Sequence, residues 1–166
     1  MLYPIAGLSV KRAIDFPVGT FFRAVVGARS PLQLFVVAQG QNDTKHIVSF
    51  DGESAYQVFT VNNVEGIAVP APLEKLQIDF PDDATVSGER YERGQLLVNE
   101  SGAWILVKMV GLMNSTSLFR MNLSTFTLEH EGGQGGTHIW IDEWSLITTH
   151  ESEPSVLVNV TAIIGR

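Results

Sequence analysis

A chain of 166 residues with 45% apolar and 17% charged residues is long enough to bury its own core as one domain, and its apolar surplus leaves area for a subunit interface. A net charge of −7 opposes approach to phosphate backbones, so nucleic acid is excluded as an expected partner. The absence of cysteine excludes disulfide frameworks and thiolate chemistry, and no apolar run approaches the ~20 residues of a membrane span, so no membrane partner is expected.

At the N-terminus the apolar patch of MLYPIAGLSVKR precedes its two basic residues, the reverse of a secretory signal, and a cytoplasmic location is expected. Asn42, Asn99, Asn114, Asn122 and Asn159 each head an Asn-x-Ser/Thr triplet. Without a signal these read as turn and strand-end residues bonding nearby backbone rather than as glycosylation sites. Residues 7–16 fit a strand with Leu8, Val10, Ile14 and Phe16 on one face, or a short helix with Leu8, Lys11, Arg12 and Asp15 outside. The Pro17-Val18-Gly19 turn and the β-rich residues 20–26 that follow favour the strand.

Residues 32–39, LQLFVVAQ, are apolar on both faces and read as a central strand. GQNDTK is a hairpin loop into HIVSF, and Asp51-Gly52 is a second hairpin signal before AYQVFTV. Pro70 and Pro72 impose an extended connector, since neither can donate to a ladder. Leu76, Ile78 and Phe80 restore alternation, and the charged residues 87–95 read as a loop. Residues 96–98 and 103–110 flank NESG as a hairpin, with AWILVKMV apolar on both faces. Phe119, Met121 and Leu123 alternate with Arg120 and Asn122 as a half-buried strand, and the closing SVLVNVTAII places Val156, Val158, Val160, Ala162 and Ile164 on one face.

Strands recurring about every ten residues with no long helix predict an all-β fold, an antiparallel β-sandwich or barrel of jelly-roll-like kind with little helix. One domain spans residues 1–166. Ile14-Asp15-Phe16-Pro17 recurs as Ile78-Asp79-Phe80-Pro81, which raises pseudo-duplicated halves at about 14–77 and 78–141.

The densest mixture of turn, core and polar chemistry is residues 126–146, FTLEHEGGQGGTHIWIDEWSL, within a long bent hairpin expected over residues 117–149. Closing it at the Gly-rich turn sets Leu128 near Ile139 and Phe126 near Ile141, with Glu129, Thr127 and Thr125 on the opposite face across from His138, Trp140 and Asp142. Farther from the turn the apolar pairs become Leu123 with Trp144 and Met121 with Leu146. That inversion demands a bulge near Ser124-Thr125 or Asp142-Glu143, or an arm that bends and projects past the core, which is the favoured reading.

Three chemistries are available to this stretch. His130, His138, Asp142 and Glu143 offer nitrogen and oxygen ligands for a divalent metal in a β-barrel enzyme. The His-x-x-x-x-Glu spacing after glycines resembles part of the cupin metal motif, but Trp140 stands where that motif has its second histidine, so no family is assigned. His138, Trp140, Asp142 and Glu129 on one face would offer a carbohydrate or small ligand an aromatic platform with hydrogen-bonding groups. No Gly-x-Ser-x-Gly elbow or phosphate loop is present, and no cofactor or catalytic residue is assigned. The expected function is a non-catalytic β domain acting in assembly or protein contact, with a homo-oligomer or another protein as its partner. Ligand binding on the Trp140 face is the alternative.

Overall fold

Each alternating or two-sided apolar run becomes a strand of one of two sheets in the computed structural model, which describes residues 8–27, 30–60, 63–84, 91–110, 116–130, 138–150 and 152–163. The larger sheet runs in the order β1 (Val10–Arg12), β6 (Glu65–Ala68), β2 (Phe21–Ala24), β3 (Gln33–Gln39), β4 (Lys45–Ser49), β5 (Gln57–Thr60), β9 (Gly102–Val110), β10 (Thr116–Asn122) and β11 (Leu128–His130). It branches where β8 (Leu96–Asn99) joins β9 and carries β12 (His138–Ile141) on its far side. The smaller sheet is β14 (Glu153–Thr161), β13 (Glu143–His150) and β7 (Leu76–Asp79). Both sheets are open, the arrangement of a sandwich-like all-β fold. Among the described residues the only helical elements are three single 3-10 turns, none long enough to cross a membrane.

The branch follows from β9 being longer than its neighbours. Strand β10 pairs along its whole length on one edge, while β8 and β5 share the other edge end to end, Leu96 opposite Ile105 and Val58 opposite Met109. Strand β9 is also covered on both faces, as its unbroken apolar run requires: Ile105 and Val107 enter the main core, Trp104 and Leu106 an outer cluster. Strand β3 behaves likewise, with Leu34, Val36 and Ala38 in the main core and Phe35 and Val37 on the opposite side. Side chains of both sheets build the main core, where Phe21 meets Phe50 and Phe126 with ring centroids 5.6 Å apart.

Two expectations, over residues 7–16 and in the last strand, are corrected. The strand expected over residues 7–16 shrinks to Val10–Arg12, entirely exposed, before a 3-10 turn at Ala13–Asp15. Positions three apart eclipse in such a turn, so Ala13 and Phe16 face the outer core together, Phe16 at 5.4 Å from Phe22, and Leu8 and Ile14 stay outside. The repeated tetrapeptide takes two structures, this turn at Ile14-Asp15 and strand β7 at Ile78-Asp79. In the last strand Val158 and Val160 are buried, but the register against β13 slips by one residue at Leu157, which turns Val156 outward. Ile164 lies outside the described residues.

One pH effect arises from this packing. Burial of His46 on β4 lowers its pKa below the ordinary 6.5, so the folded chain favours the neutral ring. The stability from a depressed pKa is present above the unfolded value and lost as pH falls through the folded one. Denaturant midpoints should therefore fall between pH 7.5 and pH 5.5, and His46→Gln should reduce that drop. An unchanged drop in the variant would show that His46 is not its source.

Candidate functional site

Residues 126–146 do not form the expected hairpin. Leu128 pairs with Met121 of β10, not with Ile139, and Ile139 pairs with Val98 of β8. The reversal between β10 and β11 is made by Asn122, whose side-chain oxygen accepts the backbone N–H groups of Ser124 and Thr125, and by Phe126 at φ +56°. At Asp142 the chain leaves the larger sheet, and β13 begins the smaller one. The Gly-rich turn, residues 131–136, lies outside the described residues. The projecting bent arm favoured from sequence is not formed: the chain reverses near Ser124-Thr125 and changes sheet at Asp142, which is why the alternation inverts between them.

The re-pairing places the polar and aromatic side chains across the outer face of five strands, β12, β8, β9, β10 and β11. Register aligns Trp140 with Leu97, Leu97 with Trp104 and Trp104 with Asn122. One step along, Leu106 aligns with Arg120 and Arg120 with Glu129. Leu97, Trp104, Leu106 and Trp140 pack into one buried cluster. Tyr91, 43% exposed, meets Trp140 edge-on at 5.3 Å, and His138 meets it on edge at 5.5 Å. Arg120 lies with its guanidinium carbon 5.3 Å from the Trp104 ring centre, a cation–π contact. Its Nε and Nη2 both donate to Glu129 Oε2, at 2.9 and 2.6 Å.

The predicted site residues are dispersed by this arrangement. Glu129 and Trp140 share a face, but three strands lie between them, on the order of 19 Å at ~4.8 Å per step. Trp140 is only 4% exposed and offers no open platform. Asp142 is buried at the corner and accepts a hydrogen bond from Gln95 Nε2 at 2.7 Å, a structural tie between β12 and the start of β8. His130 stacks at 4.2 Å on Phe119, and Glu143 is exposed at the start of β13. The metal set of His130, His138, Asp142 and Glu143 does not assemble: among the described residues no three His, Asp or Glu side chains come together to hold an ion.

What the face does contain is a surplus of donors. Trp144 Nε1 finds the Gly94 carbonyl oxygen at 2.9 Å, whereas Trp104 Nε1, Trp140 Nε1 and Arg120 Nη1 are buried without an acceptor among the described residues. An unsatisfied buried donor costs about 1–3 kcal/mol, and more when charged, so three on one face are costly to the fold. Arg120 reads in sequence as the solvent side of a half-buried strand, yet it is 8% exposed. The signal lies in its neighbour: AWILVKMV is apolar on both faces, so the outer face of β9 is covered, and the outward side chain opposite Leu106 is covered with it. Comparison of the chain with family models, curated proteins and solved structures gives no match, and the functional reading rests on the chemistry of these residues.

Proposed function

We propose that this chain is a non-catalytic β domain whose work is assembly, through association with a second copy of itself. The observation that supports it is strand β12, a sheet edge of sequence His-Ile-Trp-Ile with no lysine, acid or proline, on which Ile139 is 49% exposed. Edge strands present unpaired backbone groups, and natural monomers guard them with charge, proline or a bulge. Strand β1 is guarded by Lys11 and Arg12, and β14 by Pro154 and its register slip, although Val10 and Val156 are exposed there at 62% and 54%. Among the described residues strand β12 lacks such protection. Pairing two copies along β12 would extend both sheets and cover Ile139 in one step.

Solution mass at two concentrations across the micromolar range tests this reading. The expected result is a larger species at the higher concentration, with Ile139→Lys weakening association at least about tenfold, or about 1.4 kcal/mol. A strict monomer at both concentrations would overturn it.

A further inference from the structure

The orphaned donors of the outer face carry a second conclusion, independent of the sheet edges. Arg120 Nη1, Trp104 Nε1 and Trp140 Nε1 are all N–H groups, and no side-chain acceptor of the face is orphaned with them among the described residues. The cation–π contact sets the guanidinium beside the Trp104 indole, and Glu129 fixes it through Nε and Nη2, leaving Nη1 for another partner. Trp140 belongs to the same apolar cluster across Leu97. A positioned cation with neighbouring N–H donors, framed by aromatic rings, matches a flat oxyanion whose two oxygens each accept hydrogen bonds.

We propose that Arg120 and Trp104 form a binding site for a small carboxylate, with Trp140 of the same apolar cluster as its reporter. One negative charge suits the site better than two, because Glu129 already lies against the guanidinium and the chain as a whole carries −7. The donors are buried, so a ligand enters by displacing cover.

The three tryptophans supply the test, since each contributes one indole N–H signal to a nitrogen–proton correlation spectrum, and Trp144, bonded to the Gly94 carbonyl, is an internal reference. Titration with sodium acetate, against sodium chloride at matched ionic strength, is expected to move the Trp104 and Trp140 indole signals saturably and leave Trp144 in place. Arg120→Met, which keeps the length of the side chain and leaves half-exposed Glu129 in solvent, should weaken the response at least tenfold, with dispersion of the remaining signals reporting its fold. Trp104→Phe is the second variant, read through the Trp140 signal. No shift, an equal shift of all three signals, a shift reproduced by chloride, or a full response in Arg120→Met would overturn the site. A stronger response to inorganic phosphate than to acetate would overturn the assignment to a carboxylate.

Discussion

Replacing Gly94 with alanine is expected to destabilise the fold by about 3 kcal/mol, lowering the melting temperature on the order of 10 °C for a chain of this size. Gly94 sits at φ +89°, where an L side chain costs roughly 1–2 kcal/mol, and its added Cβ would lie 2.6 Å from the Tyr56 ring. Nothing there can give way easily. The Gly94 N–H donates to Leu106 at 2.8 Å and its carbonyl accepts the Trp144 indole at 2.9 Å. Tyr56 is itself held at φ +60°, its carbonyl accepts the Lys108 N–H, and its hydroxyl accepts the Thr161 N–H at 3.2 Å. This junction ties the larger sheet to the smaller one. Gly27→Ala is the control: φ is +97°, but among the described residues its Cβ would meet only the Ser30 hydroxyl at 3.4 Å, so backbone strain dominates and the loss should be about 1 kcal/mol. Equal losses in the two variants, measured by denaturant unfolding, would show that the Tyr56 contact contributes nothing.

Phe21→Ala should cost still more, about 4 kcal/mol, the range in which deletion of a fully buried ring leaves a cavity. Phe21 has no solvent exposure and touches Phe50 and Phe126, the latter edge-on at 85°. Phe126 is in turn pressed over Gly19, 3.1 Å from where a Cβ would stand, so the ring cluster has little room to collapse into the gap. Phe80→Ala, at a side chain 48% exposed after β7, should change stability by no more than about 0.5 kcal/mol. A loss below about 1 kcal/mol for Phe21→Ala would mean that the main core is not organised around that ring.

The outer face shows where reasoning along the chain stops. That β9 must be covered on both sides is legible in AWILVKMV, and that β3 must be central is legible in LQLFVVAQ, because an exposed apolar face that large would not persist in water. The Asn99 to Gly102 reversal is equally local: β8 and β9 form a hairpin around NESG as their spacing predicts. The partners of residues 128–141 are not local. Leu128 found Met121 and Trp140 found Leu97, although a Gly-rich turn between β11 and β12 suggested that those strands would meet each other. A turn-rich segment permits pairing without requiring it, and a strand joins whichever edge buries its apolar side.

The all-β class, the two-sided central strands and the inversion of alternation within residues 121–146 are legible in the sequence, although a bent arm was the reading that inversion favoured. Period and turn chemistry are properties of a few neighbouring residues, and hydrophobic burial acts on them wherever they fall. Only the tertiary structure decided that the first break reverses the chain and the second changes sheets, and that Arg120, Trp104 and Trp140 share a covered face with unspent donors. Those outcomes depend on which strand edges meet, and edges in contact lie dozens of residues apart in the chain: Trp140 opposite Leu97 is set by the competition of whole strands for one core, which no local window contains.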